Sequence, residues 1–256
     1  MRYLLLSDVH ANAVALAATL RHAEGRRWQQ VIFLGDAVGY YPQPEEVVRE
    51  LQNLPLEAAL LGNHDALLLE PNGHGSARSS TRSSARSVVV EVIERQRREL
   101  SREARAFLET LTPRAAGPGW EAVHSTLAGN WEYVDSLERA QLEPARMTRP
   151  LLFFGHTHVP MIYLFLVHEG RKLCRSVPLT KEKTLFRLPP NVQVLFNPGS
   201  VGQPRDGLPL AAYAVYDDEA GVLEHYRVEF DIRAVQQLVV KAGYPLPLAV
   251  RLGRGL

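Results

Sequence analysis

Cysteine is almost missing from this sequence. Cys174 stands alone among 256 residues, so no disulfide within the chain can brace the fold. Long hydrophobic runs are missing too: the apolar stretch Met161 to Val167 falls well short of the about 20 residues that a membrane-spanning helix needs, so no membrane partner is expected. The chain opens directly on a strand-like run, Arg2 to Leu6, followed by polar Ser7 and Asp8. No secretory leader is expected there, and the location read from this is cytoplasmic. An excess of charge of one sign is the third absence. Lys and Arg number 29 against 28 Asp and Glu, a net charge of +1 with His neutral, which gives no broad field for nucleic acid or an anionic surface. Any attraction to phosphate must be local.

What is present is a globular balance, with 46% apolar and 22% charged residues, enough to bury a substantial core. Arg2 to Leu6, Ala13 to His22 and Val31 to Leu34 read as strand, helix and strand, and Pro44 to Leu51 and Leu56 to Leu61 repeat the pattern. This predicts an α/β fold with a substantially parallel sheet. Arg78 to Leu111 carries apolar residues at helical spacing and predicts one or two amphipathic helices, a helical excursion over about 76–112. Ser79, Ser80, Ser83 and Ser84, with arginines between them, fit either a solvated helix face or a flap over a site. From Glu121 onward short β-rich runs recur and predict a second sheet, interrupted by a hairpin or loop excursion at about 168–190. Asp231 to Ala242 reads as a last helix and Gly243 to Leu256 as a loosely held tail.

Polar residues cluster just after the strands. Asp8 and His10 follow the first as Asp-Val-His, Gly35-Asp36 follows the second, and Gly62-Asn63-His64-Asp65 follows the third. His124 ends a later strand, and Gly155-His156-Thr157-His158 follows Leu151 to Phe154. The carboxyl edge of an α/β sheet is where ligands bind, and carboxylates beside imidazoles suit borderline divalent metals. Any one of these residues could be an ordinary loop residue. All of them in this relation to strands is a poor match to chance.

With these motifs in this order, the sequence resembles the calcineurin-like metallophosphoesterase superfamily, whose series is Asp-x-His, Gly-Asp, Gly-Asn-His-Asp/Glu, His and Gly-His-x-His. The run Asn197 to Asp206 is similar to a segment of its small bacterial phosphodiesterases. The resemblance implies a single domain over 1–256, built as a four-layer α/β/β/α sandwich of two mixed sheets flanked by helices, with a dinuclear metal site at the carboxyl ends of the strands. It also implies that Asp8, His10, Asp36 and His158 hold one cation and that Asp36, Asn63, His124 and His156 hold the other. Asp36 then bridges ions about 3.5 to 4 Å apart, and a hydroxide shared between them is the nucleophile. Manganese, iron and zinc all suit these ligands. By the same resemblance Asn63 also contacts substrate, and His64 protonates the leaving group or steadies charge on the phosphoryl group.

One branch of the family, the protein Ser/Thr phosphatases, carries an Asp and an Arg in the second motif where this chain reads Gly39-Tyr40-Tyr41. Their loss argues against a phosphoprotein substrate and leaves Asp65 as the candidate to orient His64. Arg205 is a candidate replacement for the lost phosphate contact, the rival reading being a surface pair with Asp206. Tyr40 and Tyr41 either stack on a nucleobase or pack beneath Pro42 and Pro44. Ala11, where many relatives have Gly, requires a backbone free of positive φ. The function expected is hydrolysis of a small, nucleotide-like phosphodiester or phosphoanhydride. The alternatives are a dinucleoside polyphosphate hydrolase and a non-catalytic metal-binding interaction scaffold. Nucleic acid is not expected as a partner, and a homo-oligomer is compatible with the sequence.

Overall fold

The computed structural model describes residues 1–70, 84–168 and 171–256. Ser79, Ser80 and Ser83 of the flap reading, the start of the helical excursion and two residues of the 168–190 excursion lie outside them.

Alternation sets the first strand. In β1 (Arg2–Leu6), Tyr3 and Leu5 point to one face and Leu4 and Leu6 to the other, and all four are buried, so the sheet is covered on both sides. Then come α1 (Ala13–Ala23), whose first turn is capped by the Asn12 side chain accepting from the Ala15 amide at 3.0 Å, and β2 (Gln30–Phe33). Pro44 opens α2 (Pro44–Gln52), and β3 (Leu56–Ala59) follows. Helices α3 (Asn63–Leu69), α4 (Ser84–Glu99) and α5 (Arg102–Leu108) lead to β4 (Arg114–Gly117), β5 (Trp120–Val123), the short α6 (Leu137–Ala140) and β6 (Leu151–Phe153). The remaining strands are β7 (Met161–His168), β8 (Arg171–Pro178), β9 (Lys183–Arg187), β10 (Gln193–Asn197), β11 (Ala211–Asp217) and β12 (Val222–Val228), and the chain closes with α7 (Ile232–Lys241) and α8 (Leu246–Leu252).

The strands form two sheets, β3-β2-β1-β11-β12-β9 and β4-β5-β6-β10-β7-β8. The expectation of a substantially parallel first sheet holds only for β1, β2 and β3, because β11, β12 and β9 join it antiparallel. The reason is connection length: β11 and β12 are joined by a tight hairpin, which allows only the antiparallel pairing. Both sheets are therefore mixed. The chain crosses from the second sheet to the first between β8 and β9, since β8 pairs with β7 and β9 pairs with β12.

Tyr3, Leu5, Ile32, Trp120, Phe153, Phe196 and Tyr216 fill the space between the sheets. Each fully buried Leu or Phe contributes about 1.5–3 kcal/mol, and this layer holds the two sheets together. Leu4, Leu6, Phe33 and Tyr213 face the helices on the other side of the first sheet. The outer face of the second sheet is thinly covered: Leu152, Phe154 and Leu195 pack under Val134 and Ala140. A further cluster corrects the loose-tail expectation. Leu248, Ala249 and Leu252 of α8 are buried with Val235 and Val239 of α7 against Tyr40 and Tyr41. A short apolar stretch with a proline near its start gives little periodicity to read, and tertiary packing makes the helix.

Candidate metal centre

The parallel strands β1, β2 and β3 of one sheet and β5, β6 and β10 of the other end on the same side, and every sequence-predicted ligand sits just past one of those ends. Asp8, His10, Asp36 and His158 bring one ligand atom each to within 4.8 Å of one another, and Asp36, His124 and His156 do the same. Asp36 belongs to both groups. The Asn63 side-chain oxygen lies 3.2 Å from His124 Nε2. These loops are held in unusual backbone conformations: Asp8, His10, Ala11, Asp36, Tyr40, His156 and His158 all have positive φ. Outside glycine that costs on the order of 1–3 kcal/mol per residue and is characteristic of sites where side chains must be aimed. Ala11, at φ 54, contradicts the expectation that its backbone avoids this region. Its amide donates to the Ala37 carbonyl at 2.8 Å and its carbonyl accepts from Gln43 at 3.0 Å, and this pairing over-determines the strained turn.

The donor set fits a cation by its hydrogen bonding alone. His10 Nδ1 donates to the Val38 carbonyl at 2.9 Å and His158 Nδ1 to the Gln203 carbonyl at 2.5 Å, so in each neutral ring Nε2 is a bare lone pair. Those two Nε2 atoms face each other at 3.1 Å. Burial holds both rings well below the ordinary histidine range, so a proton between them is disfavoured. A cation satisfies both lone pairs where nothing in the protein does. Asp36 Oδ2 is buried without a hydrogen-bond partner, 3.4 Å from His124 Nε2 and 3.5 Å from His10 Nε2. Burial works against a charged His124, yet Asp36 overcomes it and pushes the ring up to about 9, so a proton there stands in for a metal ion. His124 Nδ1 donates to the Leu34 carbonyl at 2.7 Å, and His156 is turned the other way, donating from Nε2 to the Trp131 carbonyl at 3.1 Å. His156 therefore presents Nδ1. Each imidazole is fixed through its other nitrogen, as metal-binding histidines usually are.

Asp65 does not orient His64. Its carboxylate accepts the amides of Asp36 at 2.8 Å, Ala37 at 2.9 Å, Val38 at 3.2 Å and Gly62 at 3.0 Å, tying the second and third motif loops together. Burial and the nearby Asp36 charge push its pKa up to about 7, and the amides pull the other way. His64 is held by packing instead, its ring 4.7 Å from both His10 and Tyr40. Its Nδ1 is buried without a partner, and burial lowers its pKa to about 4. Gly39, at φ +94, is required here, because a Cβ would stand 2.3 Å from His64 Nδ1. Gly62 is required for the same kind of reason: a Cβ there would meet Asp36 Oδ1 at 2.0 Å.

Arg205 and Tyr40 come together. Arg205 donates to the Tyr40 hydroxyl at 3.0 Å and to Gln203 Oε1 at 2.7 Å, while Asp206 pairs with buried Arg227, so the Arg205–Asp206 surface pair is not formed. Tyr40 packs on His10, ring centroids 4.6 Å apart, rather than beneath the prolines alone. Several site residues were not legible in the sequence. Gln96 of α4 accepts from the Gly39 amide at 2.7 Å and donates to the Tyr41 carbonyl at 2.6 Å. Trp131 lies edge-on to His124 at 6.0 Å and Tyr133 stacks on His156 at 4.3 Å, both about half-exposed. The run Asn197 to Asp206 stitches the loops: Ser200 donates to the Asp8 carbonyl at 2.7 Å and Asn197 to the Gly155 carbonyl at 2.8 Å.

Comparison with known proteins gives the same reading. The profile of the calcineurin-like phosphoesterase superfamily domain matches residues 1–221. The chain is 30% identical over 261 residues to an uncharacterized protein of Methanocaldococcus jannaschii, covering 98% of this chain and 97% of that one. A metallophosphoesterase from Sphaerobacter thermophilus has a similar structure, with a TM-score of 0.84 at 32% identity and 100% of both chains covered. A hypothetical protein from Pyrococcus horikoshii OT3 shares the fold, with a TM-score of 0.75 at 16% identity over 100% of this chain and 98% of that one. No helix among the described residues is long and apolar enough to cross a membrane. The chain belongs to the calcineurin-like phosphoesterase superfamily and is a hydrolase of phosphoric esters, of a kind that works with divalent metal ions.

Proposed function

We propose that this protein hydrolyses a small phosphodiester or phosphoanhydride of nucleotide type at two divalent cations, manganese, iron or zinc. Asp8, His10, Asp36 and His158 would hold one and Asp36, Asn63, His124 and His156 the other. The observation that carries this reading is the pair of bare Nε2 lone pairs of His10 and His158 facing each other at 3.1 Å beside an unpartnered Asp36 oxygen. Bound cations would supply positive charge for the phosphoryl oxygens and lower the pKa of water to the neutral range.

The chain's own groups do the rest. His64, with Nδ1 buried and unpartnered, is cheapest with its proton on Nε2, which makes the neutral ring a hydrogen-bond donor to developing charge. That favours steadying the phosphoryl or leaving-group oxygen over delivery of a proton from an imidazolium. Trp131 and Tyr133, half-exposed beside the ligands, offer stacking faces for a nucleobase, which supports the nucleotide reading. Arg205 offers a guanidinium to a phosphate oxygen.

A panel of bis-p-nitrophenyl phosphate, cyclic nucleotides, p-nitrophenyl phosphate and diadenosine polyphosphates, assayed with each metal restored after chelation, tests this. Metal-dependent turnover of a diester or anhydride is expected, with Asp36→Asn at least about 1,000-fold slower while remaining folded. No metal-dependent turnover of any member would sink the reading and favour an interaction scaffold.

A further inference from the structure

Arg251 lies on α8, beyond the 1–221 stretch matched by the superfamily domain, and its guanidinium reaches the same phenol ring as Arg205. The guanidinium carbons stand 5.6 Å (Arg205) and 5.7 Å (Arg251) from the Tyr40 ring centroid. Among the described residues neither forms an ion pair with an Asp or Glu side chain. Arg205 directs Nε and one Nη to Gln203 and Tyr40, and Arg251 directs Nε to the main-chain oxygen of Leu256 at 2.6 Å. Both Nη of Arg251 have no protein acceptor among those residues, and the Tyr133 hydroxyl lies within reach of Arg205.

The fold enforces this crowding of like charge. Leu252, on the same helix as Arg251, is fully buried in the cluster that contains Tyr40 and Tyr41, and the Gly207 amide donates to the Gly255 carbonyl at 3.0 Å, fastening the loop after Arg205 to the end of α8. Arg251 senses the arrangement: its pKa is lowered, first by burial and then by Arg205. Two half-buried guanidiniums held on one ring with no Asp or Glu side chain between them repel each other unless an anion joins them. The ring they share packs on His10 at 4.6 Å and His64 at 4.7 Å, so the pair stands one aromatic ring away from the proposed metal ligands.

We infer that Arg205 and Arg251 form a phosphate subsite beside the metal centre, and that the substrate is a phosphoanhydride carrying at least two linked phosphates. This rests on the phosphoester reading above and narrows it, since a simple diester has only one phosphorus and leaves the second guanidinium idle. Paired forks bind phosphate oxygens with directed, charge-assisted hydrogen bonds. In the hydrolysis, the OH of water bonds to one phosphorus, the bridging P–O bond breaks, and its electron pair and the remaining proton of water go to the departing phosphate. With that phosphate on the arginine pair, their charge offsets the charge it gains.

The test compares kcat/KM for diadenosine tetraphosphate with that for bis-p-nitrophenyl phosphate in the metal-loaded wild type and in Arg251→Gln and Arg251→Lys. The ratio is expected to fall at least tenfold in Arg251→Gln and to recover partly in Arg251→Lys, with thermal unfolding showing that both variants fold. A second arm, calorimetric binding of AMP and of the α,β-methylene analogue of ADP, needs no turnover. Wild type is expected to prefer the diphosphate by at least tenfold and Arg251→Gln to lose that preference. An unchanged ratio together with an unchanged preference would overturn the subsite. If neither substrate is turned over, the phosphoester reading fails, and the binding arm alone decides whether the arginine pair takes two linked phosphates.

Discussion

The two ends of β6 and β10 are opposites. At their amino ends lies a hollow of about 880 Å³ lined by Pro150, Phe165, Leu173, Cys174, Val192 and Tyr216, in which no cluster of buried carboxylate and imidazole appears among the described residues. At their carboxyl ends the space is crowded, charged and strained, with Asp36 and His64 left unsatisfied and a run of non-glycine residues at positive φ. The hollow offers volume without such a cluster of side chains among the described residues. Strain and orphaned polar atoms single out the candidate metal end where volume does not, because a fold tolerates such costs only where they are over-determined by the surrounding structure.

The sharpest way to break this contrast is Asp65→Ala. It leaves four backbone amides of the metal-end loops without their acceptor, and a loss of about 3–5 kcal/mol in denaturant unfolding is expected. A loss below about 1 kcal/mol would mean that the loops are held by something else. Next comes acid. His225 donates to the Pro198 carbonyl behind the metal-end loop, and burial, then Arg227, pushes its pKa from 6.5 down to about 3. The unfolded chain takes up the proton first, so this contribution is complete above pH 6.5 and declines as pH falls toward 3, by on the order of 5 kcal/mol. Stability measured against pH should therefore fall less steeply over that window in His225→Asn than in the wild type; equal slopes would contradict the assignment. His64→Ala should keep the bound metal, measured by elemental analysis, and lose at least tenfold in turnover of a substrate with a poor leaving group. Unchanged turnover would remove His64 from the mechanism. The smallest effect belongs to the other end: Cys174→Ser should leave turnover within twofold and stability within about 1 kcal/mol. A large loss of activity there would show that the hollow is coupled to the metal end.

The proposed ligands were legible as a group because each follows its strand within a few residues, so local order in the sequence carries the clustering of these side chains. Asp8 and His10 after β1, or His156 and His158 after β6, need no knowledge of the rest of the chain. What failed depended on contacts between distant segments. Asp65 looked like an orienting partner for the adjacent His64, and only the fold shows its oxygens turned to amides nearly 30 positions earlier. Asp206 looked like the partner of its neighbour Arg205, but β12 delivers Arg227 to it. Ala11 was judged by its own conformational preference, which the bonds to Ala37 and Gln43 override. Arg251 was hidden in a stretch with few helical signals, and Trp131 and Tyr133 in a loop without periodicity, since burial against Tyr40 and stacking on His156 are properties of the folded chain.

The central claim is that buried lone pairs around Asp36 are completed by two cations. Anomalous X-ray diffraction from crystals of the metal-loaded protein, collected at the absorption edge of the metal found by elemental analysis, measures this directly. The account predicts two peaks, one among Asp8, His10, Asp36 and His158 and one among Asp36, Asn63, His124 and His156, and the loss of at least one peak in Asp36→Asn. A fully loaded protein with no peak between His10 Nε2 and His158 Nε2 would contradict it.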